Sequence, residues 1–105
     1  MKIAITSEGD TLSSNIDQRF GRCSFFAVYD TQTDKTTFSP NPARNAPEGA
    51  GPAAVQFIAS QKVEKVVSGE FGGKIKTLLD SLHIEMHNEK EKTVFEIIQQ
   101  FKKRR

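Results

Sequence analysis

Apolar and β-branched residues fall in short runs in the first forty residues and at helical spacing in the second half, so the chain changes period along its length. Lys2 to Thr6 predicts a short buried strand, and Ser24 to Asp30 a second one rich in aromatic and β-branched residues. Thr31-Gln32-Thr33-Asp34 has turn chemistry, so Lys35 to Ser39 predicts the returning arm of a hairpin that ends at Pro40. From Pro40 to Gly49 three prolines forbid both a strand ladder and a helix, which leaves an irregular loop.

Beyond that loop the pattern becomes helix, strand, helix, strand, helix. Pro52 suits the first turn of a helix running to about Gln61, and Val63 to Val67 predicts a β-branched strand closed by Ser68-Gly69. Ile75, Leu78, Leu79 and Leu82 form one apolar stripe on a second helix. Ile84 to His87 predicts the last strand. Val94, Ile97, Ile98 and Phe101 repeat the stripe on a terminal helix whose cationic end, Lys102 to Arg105, complements the negative pole of its dipole.

A hairpin followed by βαβα alternation predicts an α/β fold with a mixed five-stranded sheet in the order 3-2-1-4-5, strand 2 antiparallel, and three helices, all in one domain over residues 1–105. This connectivity brings the loops at 7–23, 40–51, 69–73 and 88–92 to one edge, together with all three helix amino termini. Helix starts offer unpaired N–H groups and a positive dipole end, and open α/β sheets bind ligands outside the carboxyl ends of their strands. An anion-binding rim is therefore expected there.

Composition narrows the function. The formal charge of +2 comes with a terminal run, Lys102 to Arg105, that supplies four of the 15 cations and leaves 11 against 13 acids elsewhere. A basic helix end of this kind is a solvated terminus rather than a nucleic-acid face, so no nucleic-acid partner is expected. One cysteine cannot form an internal disulfide, and the chain opens directly on a strand pattern, so a cytoplasmic location is expected. The longest apolar run, Phe25 to Tyr29, is far short of the roughly twenty residues of a membrane-spanning helix, and no membrane partner is expected.

Candidate chemistry centres on Cys23, in the run Phe20-Gly21-Arg22-Cys23. A thiolate is the metal-ligating form of cysteine and a neighbouring guanidinium favours it; the alternative is a small, inert, buried hydrophobe. One sulfur cannot complete a Zn or Fe–S site, so a dedicated structural metal is not expected; a group held transiently by a monomer, or by a weak homodimer sharing two Cys23 sulfurs, stays open. His83 and His87 flank a strand, about 13 Å apart, too far for a shared ion. Gly49-Ala50-Gly51-Pro52-Ala53-Ala54 fits the G-x-G-x-x-A dinucleotide form but does not follow a strand directly. The first strand lacks the paired carboxylates of a two-metal nuclease, and no G-x-S-x-G elbow is present, so no enzyme activity is expected.

Four features taken together, Met1 to Thr6, Phe20-Gly21-Arg22-Cys23, Asn45-Ala46-Pro47-Glu48-Gly49-Ala50-Gly51-Pro52 and Gly69-Glu70-Phe71-Gly72, resemble the dinitrogenase iron-molybdenum cofactor biosynthesis and carrier family. Glu48 departs from the pattern, standing where a second glycine is expected. The resemblance implies a ribonuclease-H-like fold and binding of an iron- or molybdenum-containing sulfide cluster, with cluster donor or acceptor proteins as partners. On that basis the expected roles are Cys23 as metal ligand, Arg22 as its charge partner, Gly21, Gly49, Gly51, Gly72 and Gly73 as close-approach backbone, and Asn45 as a polar contact. The alternatives are a nucleotide or other small-anion binding module on the same rim, and a protein-interaction domain using exposed apolar residues such as Phe71. The polar loop containing Ser7, Ser13, Ser14 and Asn15 is expected to act as a lid.

Overall fold

The computed structural model describes residues 1–103, so Arg104 and Arg105 of the basic run lie outside the described residues. Its elements are β1 (Lys2–Ser7), β2 (Phe25–Asp30), β3 (Lys35–Pro40), α1 (Ala50–Ser60), β4 (Val63–Ser68), α2 (Gly73–Ser81), β5 (Glu85–Asn88) and α3 (Val94–Lys103). The sheet order is β3-β2-β1-β4-β5, as the alternation predicts. β1 runs antiparallel to β2 with Ile3 opposite Tyr29, and parallel to β4 with Ala4 opposite Val66.

Strand residues alternate between two cores because successive side chains point to opposite faces. Ala4, Phe26, Val28 and Val66 face α1 and α2, where Ala54, Val55, Ile58, Ile75 and Leu79 cover them. Ile3, Ile5, Ala27, Tyr29 and Val67 face α3, which supplies Val94, Ile97, Ile98 and Phe101. β1 is covered on both faces, which is why Ile3, Ala4 and Ile5 follow one another at its centre without a polar residue. Each fully buried Val, Ile, Leu or Phe among them contributes about 1.5–3 kcal/mol by burial.

Local chemistry sets the ends of the elements. Asp34 closes the β2–β3 hairpin at φ 61°, its N–H donating to the Asp30 carbonyl at 2.8 Å, a left-handed position that Asp tolerates better than most side chains. α2 stops one residue early for the predicted stripe: Leu82 caps the helix and is 47% exposed, because His83 turns left-handed at φ 59° to launch β5. At the end of α3, Lys102 pairs with Asp34 at 3.0 Å. No helix among the described residues is long and apolar enough to cross a membrane.

Candidate functional site

The carboxyl ends of β1, β4 and β5 and the starts of all three helices share one edge, as the connectivity requires. The crevice between β1 and β4, where such sheets usually hold ligands, is filled by the chain itself. Residues 15–19 cross it, with the Asp17 carbonyl accepting from Thr6 Oγ1 at 2.7 Å and from the Gly69 N–H at 3.2 Å, while Arg19 bridges to Glu70. The expected lid is likewise anchored. Glu8 N–H donates to the Asn15 carbonyl, and Thr11 and Ser14 hydroxyls bond each other at 2.9 Å.

The remainder of this edge has two halves. One is a groove of about 580 Å³ lined by Glu8, Asn15, Ile16, Gln18, Gly69 and Glu91 among others; a neighbouring groove of about 500 Å³ shares Glu8 and Gln18 and adds Glu70. Sequence reasoning singled out Gly69 and Glu70 within a motif and Asn15 in the expected lid, but not Glu8, Ile16, Gln18 or Glu91, which carry no motif; carboxylates outnumber the cations Lys90 and Arg19 along these grooves. The other half is formed by the starts of α1 and α2.

The three helix starts are not equivalent. At α3 every first-turn donor is satisfied: Val94 N–H by the Ser14 carbonyl, Phe95 N–H by that of Leu12, and Glu96 N–H by Thr93 Oγ1, with Glu96 returning a carboxylate to the Thr93 N–H at 2.9 Å. This reciprocal capping box closes the helix to ligands. α1 and α2 instead begin from Gly49 and Gly72, which offer no capping side chain, and neither helix has an acid in its first turn. Their first intrahelical bonds come from Ala53 and Lys76, so the preceding amides of Ala50 and Gly51, and of Gly73, Lys74 and Ile75, lack an acceptor within the helix.

The two open starts are packed side by side. A Cβ on Gly51 would fall 2.4 Å from Ile75 Cδ1, so the bare glycine is where the Ile75 side chain of α2 rests, and a side chain there would displace its end. A Cβ on Gly21 would fall 2.9 Å from the Gly51 nitrogen, so the Phe20–Cys23 turn lies on the start of α1 with bare backbone. Gly49, at φ 69°, and Gly73 face open space. Thus Gly21, Gly49, Gly51, Gly72 and Gly73 gather, but Gly51 serves helix packing rather than direct approach by a ligand.

Three expected roles are corrected. Cys23 is fully buried in the α1/α2 core, and removal from water, reinforced by the Asp17 carboxylate, pushes its thiol up to about 12. The sulfur is therefore a protonated packing group, not an accessible thiolate, because the apolar surroundings outweigh the sequence-adjacent guanidinium. Arg22 points elsewhere, donating through Nη1 to the carbonyls of Arg44 at 3.0 Å and Ala46 at 2.6 Å. It staples the 41–49 loop and is not a charge partner of Cys23. Phe71 is not an exposed contact but is 8% exposed and stacks on Phe20 at 5.7 Å.

Asn45 is exposed on the loop between β3 and α1. His83 is exposed, whereas His87 is half-buried beside Glu85 and edge-on to Phe101 at 5.5 Å. Together His87 and then Lys65 hold the Glu85 carboxyl below its usual range. Among the described residues, no group of three or more His, Cys, Asp and Glu side chains is placed to hold a metal ion.

Residues 1–104 match the family model described as dinitrogenase iron-molybdenum cofactor, and the chain belongs to that family. Its fold is similar to the apo form of the orange protein from Desulfovibrio gigas, with 30% identity, a TM-score of 0.91, and coverage of 97% of this chain and 87% of that one. It is also similar to a DUF35-family protein from Thermotoga, at 30% identity, a TM-score of 0.84 and the same two coverages. No curated protein matches the sequence.

Proposed function

We propose that this member of the dinitrogenase iron-molybdenum cofactor family is a non-catalytic carrier that holds an anionic metal-sulfur cluster between the starts of α1 and α2. The observation that carries this reading is the contrast among the helix starts: α3 is closed by its own capping box, while α1 and α2 begin from glycines and stand together. Open helix amino termini favour anions through their N–H groups and dipole. The structure of the orange protein is that of an apo form, a name that presupposes a loaded one, which agrees with cargo binding in this fold.

The donor set defines how the cargo is held. With the only thiol buried and protonated, the chain offers hydrogen-bond donors to the sulfides rather than ligands to the metal. Gly49, Gly72 and Gly73 keep side chains off the cradle, Gly21 lies on the start of α1 through bare backbone, and Asn45 adds a polar group at its outer rim. Both helix starts belong to one subunit, so a monomer suffices. Binding without a metal bond suits release to an acceptor protein, and an unpaired cysteine suits a reducing compartment such as the cytoplasm.

Anaerobic titration with tetrathiomolybdate, a small metal-sulfide anion, followed by its visible absorption tests this function. Saturable binding that weakens as salt rises from 0.05 to 0.5 M is expected, since the attraction is electrostatic. Absence of binding at millimolar anion would refute it, and tighter binding of a dinucleotide would favour the nucleotide reading of the same rim.

A further inference from the structure

Asn41 lies in no motif and is 5% exposed, yet its side chain joins two loops otherwise distant in sequence. Nδ2 donates to the Gly21 carbonyl at 3.0 Å and to the Cys23 carbonyl at 3.1 Å, while Oδ1 accepts from the Ala43 N–H at 3.0 Å. Both amide hydrogens and the amide oxygen are thereby used, which fixes the orientation of the group. Its own backbone N–H donates to the Ser24 carbonyl at 3.0 Å. Cys23 Sγ lies 3.7 Å from Nδ2, a weaker third acceptor.

We infer that Asn41, rather than the cysteine, is the positioning residue of the anion cradle, holding the Phe20–Cys23 turn against the first turn of α1. The inference rests on the proposed function for its consequence but not for its geometry. Gly21 is the residue whose missing Cβ leaves space 2.9 Å from the Gly51 nitrogen, and Asn41 grips that same residue by its carbonyl. Arg22 fastens the far side of the 41–49 loop through the Arg44 and Ala46 carbonyls, so the turn and the loop are tied at both ends. Freed from the Asn41 amide, the turn loses its register on α1, and the cradle loses one wall. Cys23 fills the core beneath this junction as a neutral thiol.

Asn41→Asp separates the two jobs of the side chain, because a carboxylate keeps the acceptor for the Ala43 N–H and removes both donors to the turn. Two readouts are taken. In the free protein, the backbone amide resonances of Gly21 and Gly51 are expected to shift in Asn41→Asp, and to stay in place in Ile97→Val, a core variant on the opposite sheet face that also lowers thermal stability. In the tetrathiomolybdate titration, Asn41→Asp is expected to bind about tenfold more weakly, the equivalent of about one hydrogen bond, while Ile97→Val binds as the parent does.

If the parent binds the anion and Asn41→Asp binds equally well, the positioning role is overturned and the carrier function stands. If the parent does not bind, the carrier function fails, and the amide shifts alone decide whether Asn41 sets the start of α1: unmoved resonances overturn it. Should Asn41→Asp not fold, Asn41→Ser, whose single hydroxyl cannot serve both carbonyls of the turn, gives the same two readouts.

Discussion

Gly21 and Gly51 meet through backbone alone: a Cβ on the first would sit 2.9 Å from the nitrogen of the second and 3.0 Å from its Cα. Gly21→Ala forces either the turn or the helix start to move, and is expected to destabilise the fold by about 1–3 kcal/mol, as overpacking does. Denaturant unfolding measures that loss, and the tetrathiomolybdate titration is expected to weaken with it. Unchanged values in both would show that the two segments yield freely.

Gly72 has φ −67° and ψ 159°, the backbone of an ordinary N-cap, and a Cβ there would meet Ile75 at a comfortable 3.9 Å. Gly72→Asp therefore caps α2 and is expected to raise stability by about 0.5 kcal/mol. The same carboxylate occupies the amides and repels the cargo, so anion binding is expected to fall sharply. A gain in stability with loss of binding is the reverse of what ordinary structural damage produces.

Thr93→Ala opens the capping box of α3 and is expected to cost about 1 kcal/mol. Because that helix start is turned to the Ser14 and Leu12 carbonyls, tetrathiomolybdate affinity is expected to remain that of the parent. Thermal unfolding and titration of the one variant check both statements.

Burial raises the Cys23 thiol from its ordinary 9.0 to about 12. Between those values the unfolded chain has released its proton and the folded chain has kept it, so stability is expected to fall as pH rises from about 9, by about 1.4 kcal/mol per pH unit, and to be unaffected by this group below pH 9. Cys23→Ala is expected to lack that alkaline component and to bind the anion still. The native thiol is expected to resist alkylation at pH 8 until the chain unfolds; rapid labelling of folded protein would contradict its burial.

The two-period pattern was sufficient for the elements, the strand order and the gathering of loops at one edge, because alternating and 3.6-residue spacings report directly on which faces are buried. The glycines of the rim were singled out through the family motifs, and of them Gly49, at φ 69°, holds a left-handed turn that favours glycine. Leu82 was placed on the stripe of α2 but lies just past its end, because the position of a helix end depends on a left-handed His83 that no local signal announces. Arg22 was read by its neighbour in sequence, whereas its guanidinium follows the carbonyls of a loop more than twenty residues away.

The sequence by itself determined the secondary structure, the topology and the family, since these follow from short-range periodicity and from motifs read in order. Only the tertiary structure decided the chemistry of the edge. It buried Cys23, closed the start of α3 while leaving those of α1 and α2 open, and put Asn41 at the junction of two loops. Exposure, proton affinity and hydrogen-bond partnership depend on neighbours contributed by distant segments, and those neighbours exist only once the chain has packed.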